Sequence, residues 1–271
     1  MEHITPTAPT LQELFDLILF AGQSNMAGRG EAELAPACPQ GCAWEYRAVT
    51  APNTLCPVQE PFGAAENRAG GIDDGTKKRG GMAAAFLAEY TRKTNRQAVV
   101  VSASEGGTTI AQWVQRLAPD AAARLQSARQ FLAQQGLAPA HIFTVWCQGE
   151  SDGDAGTTPQ QYRTDFAAVW QALQAAGAEQ CFVVEIGHFN KVKYPAGLYG
   201  LTGQELDDRY QTIRTTQKEL CDTMPQLHLT ASFAEHLPEM KDEFHYHQSA
   251  YNTVGKQAAA FIADFFDSAS C

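Results

Sequence analysis

Apolar and polar positions along this 271-residue chain alternate between two periods. Short, nearly continuous apolar runs, such as Leu17 to Ala21, Ala98 to Ala103 and Ile142 to Cys147, have strand length and predict strands near 16–21, 97–103, 141–147, 181–187 and 226–231. Longer stretches carrying one apolar stripe lie between them and predict helices near 81–94, 118–135, 159–176, 203–222 and 249–266. The last is the clearest, with Tyr251, Val254, Ala258, Phe261, Ile262 and Phe265 on one stripe and Ser249 as its expected N-cap. Regular β/α alternation calls for right-handed crossovers and helices on both faces of a sheet. The expected fold is therefore α/β, a three-layer α/β/α sandwich with a central, mainly parallel five-stranded sheet.

One stretch breaks the alternation. From Arg29 to Arg79 the chain is rich in Gly and Pro, and it carries Trp44, Tyr46, Phe62 and the run Glu66-Asn67-Arg68-Ala69-Gly70-Gly71. It is read as a long loop insertion at about 30–79 in a single domain spanning residues 1–271. Since it leaves the first strand, it is expected to lie over a site at that sheet edge. Its aromatic residues either stack on a ligand ring or form a satellite core. A second loop, His188 to Gly203, with Tyr194, Pro195 and Tyr199, is the expected opposite wall.

Candidate chemistry sits at the strand ends. Ser24 follows the first apolar run in Gly22-Gln23-Ser24-Asn25-Met26, where α/β enzymes place nucleophiles and where many serines merely cap a helix or satisfy a turn. A serine attacks a carbonyl at neutral pH only if a base takes its proton, and His245, in Asp242-Glu243-Phe244-His245, offers one. Asp242, three residues earlier, can hold the second ring nitrogen, so Ser24, His245 and Asp242 form a candidate triad. After the third strand, Gln148-Gly149-Glu150-Ser151-Asp152 offers the Gln148 amide as an oxyanion donor. After the second, Gly106 and Gly107 allow backbone N–H groups to approach a ligand. Each feature also has a purely structural reading as a turn or a helix start, but four at strand ends or helix starts point to one shared site.

Taken together, Gly22-Gln23-Ser24-Asn25-Met26, Gly106-Gly107-Thr108, Gln148-Gly149-Glu150-Ser151-Asp152 and Asp242-x-x-His245 resemble, in that order, the blocks of the SGNH hydrolases. More narrowly, they resemble the carbohydrate esterase branch (family 6-like) that contains acetylxylan esterases and sialate O-acetylesterases, over residues 17–258. The resemblance implies an SGNH, flavodoxin-like fold, with Ser24 as nucleophile, His245 as base and Asp242 as its orienting acid. It implies an oxyanion hole from the Ser24 N–H, the N–H of Gly106 or Gly107, and the Gln148 side chain, which stands where the broader superfamily has asparagine. Gln23, Asn25 and Glu150 are expected in support, Glu150 as an acid bracing the oxyanion loop or the histidine region. Met26 stands where the second glycine of a Gly-x-Ser-x-Gly elbow would be, which argues against the lipase-like α/β-hydrolase fold.

The remaining composition narrows the choice. A net charge of −10 disfavours nucleic acid and anionic membrane surfaces as partners, and no apolar run approaches the roughly 20 residues needed to cross a bilayer. Met1 to Pro9 shows neither a basic nor an apolar signal region, so the expectation is cytoplasmic, or secreted if a signal has been removed. Seven cysteines, with Cys147 and Cys181 in predicted strands, read as thiols rather than a disulfide framework, and Cys38, Cys42 and Cys56 form an incomplete zinc set. His245 and His247 alternate along an extended segment and should point to opposite sides, which argues against a metal cluster. Asp152-Gly153-Asp154 reads as a solvated turn rather than a calcium loop, and Arg29 and Arg163 as solvent-facing or ion-paired.

No cofactor is expected. By resemblance, the expected activity is removal of O-acetyl groups from carbohydrates, acetylated xylo-oligosaccharides first and O-acetyl sialic acid second, through an acetyl-enzyme. The alternatives are a general short-chain esterase or thioesterase and, in a different class, a catalytically silent carbohydrate-binding protein.

Overall fold

The computed structural model describes Leu11, residues 14–194 and residues 198–268, so Met1 to Pro9 and Pro195 lie outside the described residues. Seven strands form one sheet: β1 (Phe15–Gly22), β2 (Ala43–Tyr46), β3 (Leu55–Pro57), β4 (Gln97–Ser104), β5 (Ile142–Cys147), β6 (Gln180–Glu185) and β7 (Leu227–Ser232). Their order is β3-β2-β4-β1-β5-β6-β7, parallel except where β3 runs antiparallel to β2. Around the sheet lie α1 (Ser24–Ala27), α2 (Ala83–Thr94), α3 (Ile110–Gln112), α4 (Ala118–Gln134), α5 (Glu150–Ala155), α6 (Pro159–Ala175), α7 (Gly203–Thr223) and α8 (Gln248–Ser268). A π turn, Trp113–Leu117, joins α3 to α4.

Strand periodicity divides the core in two. Phe15, Leu17, Leu19 and Ala21 of β1 join Val99, Val101 and Ala103 of β4 on one face, packed with Leu125 of α4, Phe166 of α6 and Ile213 of α7. Ile18 and Phe20, with Val100 of β4 and Phe143 and Val145 of β5, face Phe86 of α2 and Val254, Ala258 and Ile262 of α8. Both faces are covered, which is why these strands read as continuous apolar runs.

The five expected strands are β1, β4, β5, β6 and β7, and the sheet has seven because two more arise inside the long connection. Those strands are four and three residues long, and β2 pairs with β4 only from Ala43 to Glu45. Segments that short show no readable period among Gly and Pro. The connection is held down by its own core: Tyr46 and Phe62 are buried, and Phe62 meets Phe20 edge-on at 5.6 Å. Tyr46 also shares a 2.7 Å hydrogen bond with Ser127, so these two aromatics form the satellite core and no sugar platform.

The last helix starts one residue earlier than expected. Ser249 lies inside α8, where its hydroxyl bonds Glu239 instead of capping the helix. On the stripe, Tyr251, Val254, Ala258 and Ile262 are buried while Phe261 is exposed, and Phe266 takes the buried place.

A buried charge lies near the start of β1. Asp16 of β1 is fully buried, accepts from Tyr90 Oη at 2.7 Å, and pairs with Arg96 at 2.9 Å and His141 at 2.8 Å. Asp16→Ala should destabilise the protein by about 3 kcal/mol, because it strands a guanidinium and a buried hydroxyl. Urea unfolding of the two proteins checks this, and a loss below about 1 kcal/mol would contradict it.

Candidate active site

Three neighbouring strands, β4, β1 and β5, deliver Gly106, Gly107, Ser24 and Gln148 from their carboxyl ends, where open parallel sheets bind ligands, while Asp242 and His245 lie between β7 and α8. The chain leaves β1 at Gly22, enters α1 at Ser24, and is tied to β5 by a bond from Gln23 N–H to Cys147 O at 2.9 Å. Gly22 has φ +149°, and a Cβ there would lie 1.9 Å from the Cys147 carbonyl oxygen. This close approach sets the serine turn directly against the block that follows β5.

Ser24, Gly106, Gly107, Glu150 and His245 line one cavity of about 290 Å³, together with Arg29, Lys77 and Tyr199. Gly106 sits tightly against the serine, since a Cβ there would lie 3.2 Å from Ser24 Cβ and 2.3 Å from the Arg29 guanidinium. His245 Nδ1 is 3.0 Å from Asp242 Oδ2, while Asp242 Oδ1 accepts the backbone N–H groups of Phe244 and His245 at 2.8 and 2.7 Å. Burial alone would raise the Asp242 carboxyl, but the His245 ring and the two N–H groups outweigh it and hold it at about 2. His247 turns to Glu31 instead, at 3.2 Å, so the two histidines diverge as their spacing requires.

The expected supports organise this arrangement. Asn25 is fully buried; its Nδ2 donates to Glu150 Oε1 at 2.6 Å and to Phe244 O at 3.1 Å, and its Oδ1 accepts from Tyr251 Oη at 2.7 Å. It thereby joins the Ser24 turn, the block after β5 and the loop that carries His245. Gln23 Oε1 accepts from Gly149 N–H at 3.1 Å and Ser151 N–H at 3.3 Å.

Gln148 differs from expectation. Its side chain is fully buried, is not among the cavity-lining residues, and spends its amide donors on Thr108 O at 3.0 Å and Asp152 Oδ2 at 2.5 Å. An amide so committed has no hydrogen to offer an oxyanion, so Gln148 acts as a brace. Asp152 is itself fully buried within α5, accepting from Ile110 N–H at 2.9 Å and Thr157 Oγ1 at 2.8 Å, and is no solvated turn. The two glycines separate as well: Gly106 N–H donates to Asp74 Oδ1 at 2.8 Å. Among the described residues, neither Gly107 N–H nor Ser24 N–H has a protein acceptor.

Sequence reasoning missed Asp74 and Lys77, and Arg29, ion-paired as expected, also lines the cavity. Asp74, in an unremarkable Asp-Asp-Gly turn, pairs with Arg29 at 2.9 Å and positions Gly106, so the two ends of the long connection form one wall. Of the opposite loop, Tyr199 lines the cavity and Tyr194 packs on Phe189. Arg163 pairs with Glu219 on the surface at 2.7 Å.

Residues 14–264 match the family described as "Carbohydrate esterase, sialic acid-specific acetylesterase". The chain belongs to that family. Membership supports a carboxylic ester hydrolase acting on a small carbohydrate ester. A crystal structure of an Arabidopsis thaliana protein is similar, at TM-score 0.68 and 19% identity over 92% of this chain and 98% of that one. So is NanS, at 0.62 and 13% over 96% and 99%. A carbohydrate acetylesterase from Xanthomonas citri follows at 0.51 and 16%, with 93% of this chain matching 57% of that one. At these identities the likeness speaks for the fold alone, an α/β sandwich. No curated protein matches the sequence.

Because the Asp242 carboxyl is held at about 2, below the ordinary value of about 3.9, its ionic contribution to stability is complete above about pH 4. It should disappear as the pH falls through about 2. Urea unfolding of the native protein and Asp242→Ala across this range should give curves that converge at low pH, and a pH-independent gap would contradict the assignment.

Proposed function

We propose that this esterase removes O-acetyl groups from a carbohydrate by two-step acyl transfer, with Ser24 as nucleophile, His245 as base and Asp242 as the acid that orients it. The observation carrying this reading is that Ser24 and His245 line one cavity, with Asp242 3.0 Å behind the His245 ring. The Asp242 carboxylate accepts a hydrogen bond from Nδ1–H, which keeps the proton on Nδ1 and leaves Nε2 free to receive one. In the first step Ser24 Oγ bonds to the acetyl carbon and passes its proton to His245 Nε2. The Ser24 and Gly107 N–H groups hold the resulting oxyanion. The ester C–O bond to the sugar then breaks, and His245 returns the proton to the leaving oxygen. Water, deprotonated by His245, attacks the acetyl-enzyme; the Ser24 Oγ–acyl bond breaks, His245 returns the proton to Oγ, and acetate is released.

The cavity continues into a groove of about 510 Å³ that shares Gly107, Ser151, Asp154 and Tyr199 and adds Thr109 and Arg209. Tyr199 is 68% exposed, and such an aromatic wall suits the apolar face of a sugar ring. Acetylated xylo-oligosaccharide is the reading the sequence resemblance favours. O-acetyl sialic acid is favoured by the cationic Lys77 on the cavity wall, which has no acidic partner among the described residues and suits a carboxylate.

Acetate release from O-acetyl sialic acids, acetylated xylo-oligosaccharides and aryl acetates tests these readings. Ser24→Ala should lower turnover by roughly 10^4-fold or more, and near-normal turnover would sink the mechanism. Sugar binding without any acetate release from the native protein would indicate a silent binding protein instead. Tyr199→Ala should raise KM for the preferred sugar ester about 10-fold while changing aryl acetate kinetics less than about 2-fold. Equal losses on both substrates would place Tyr199 outside sugar recognition.

A further inference from the structure

The Glu150 carboxylate is only 3% exposed and lines the same cavity as His245. Its Oε1 accepts from Asn25 Nδ2 at 2.6 Å, and that amide also donates to the carbonyl of Phe244, the residue before the base. Its Oε2 is buried and has no hydrogen-bond partner among the described residues. Bracing Asn25 requires one acceptor oxygen, which a glutamine would provide without the cost of burying a charge. The negative charge is therefore more than the bracing role explains.

The cations facing the cavity narrow what that charge can serve. Arg29 is committed to Asp74 at 2.9 Å, and Lys77 is exposed. Asp154 of α5 is a further acid, which burial pushes up to about 6 against the Tyr210 hydroxyl. The other titratable groups around Glu150 include Cys147, Tyr162, Tyr210, Tyr246 and Tyr251, which burial keeps protonated and neutral. On the base loop itself, the Asp242 side chain is 38% exposed and so partly screened. Burial raises the Glu150 carboxyl on balance, outweighing the Asn25 amide and the attraction to His245 that pull it down.

We propose that Glu150 is an electrostatic positioning residue: its buried charge stabilises the imidazolium that forms on His245 when Ser24 gives up its proton. A charge acting through a poorly solvated cavity wall does more work than one at the surface. The two carboxylates then divide the task, Asp242 fixing the ring and its tautomer and Glu150 adding field from the cavity side. This inference rests on the mechanism above.

Glu150→Gln is the deciding variant, because it keeps an acceptor for Asn25 and removes only the charge. The acid limb of its kcat/KM profile on an aryl acetate should move to lower pH by roughly 0.5 to 1 unit, with a lower plateau and an unchanged unfolding midpoint. A limb that superimposes on the native one, with only Glu150→Ala impaired, would reduce Glu150 to a brace and overturn the proposal. Should Glu150→Gln fail to fold, the His245 ring resonances can be followed by NMR in Ser24→Ala between pH 4 and 9. Coupling to a buried carboxylate predicts a second inflection, and a single one would overturn the proposal. Absence of esterase activity in the native protein would instead strike the mechanism, leaving the NMR result to judge the Glu150–His245 coupling separately.

Discussion

The site depends on how closely β1 and β5 approach at their carboxyl ends. Only a residue without a side chain can occupy position 22, because the Cys147 carbonyl fills the space a Cβ would need. That contact places Gln23 over the Gly149 and Ser151 amides and Asn25 against Glu150, so two segments 125 residues apart in the chain become one polar layer. Parallel pairing makes this possible. Strands running the same way end at the same edge, and each contributes its following loop to one place.

Buried polar groups hold that layer with little slack. Asn25, Gln148 and Asp152 are fully buried, and each is bonded to partners from other segments. In a low-dielectric setting such a network is stable only if nearly all its members are satisfied, which gives it one geometry rather than several. Among the described residues, the Ser24 and Gly107 N–H groups and the Oε2 of cavity-lining Glu150 have no protein partner. Saturation behind Ser24 and unspent donors beside it are what the proposed acyl transfer requires.

The long connection supplies the wall that the sheet edge lacks. Its middle is pinned by buried acids: Glu66 accepts from Val49 and Thr50 N–H groups, and Asp120 of α4 takes Ile72 N–H and pairs with Arg124 at 3.0 Å. Pinning the middle lets the two ends, Arg29 and the Asp74–Lys77 turn, meet at the cavity. The base loop is anchored to the same region, with Lys241 donating to Arg29 O and Glu31 accepting Gln248 N–H at 2.7 Å.

The chain alone was enough to place the five long strands, the five main helices and the four site blocks, because long buried strands and striped helices carry their periods in local composition. It also offered Ser24, His245 and Asp242 as a candidate triad, since that chemistry requires those residue types at strand ends and helix starts. The edge strands β2 and β3 were hidden by their shortness, and the fates of Tyr46, Phe62 and Ser249 by dependence on distant partners. Whether the Gln148 amide faces the cavity or Asp152, and whether Gly106 or Gly107 keeps a free N–H, are questions of competition among acceptors. Those acceptors, Asp74, Thr108 and Asp152, come together only when the sheet is assembled. Sequence therefore determined which groups could do the chemistry, and tertiary packing decided which of them remain uncommitted to do it.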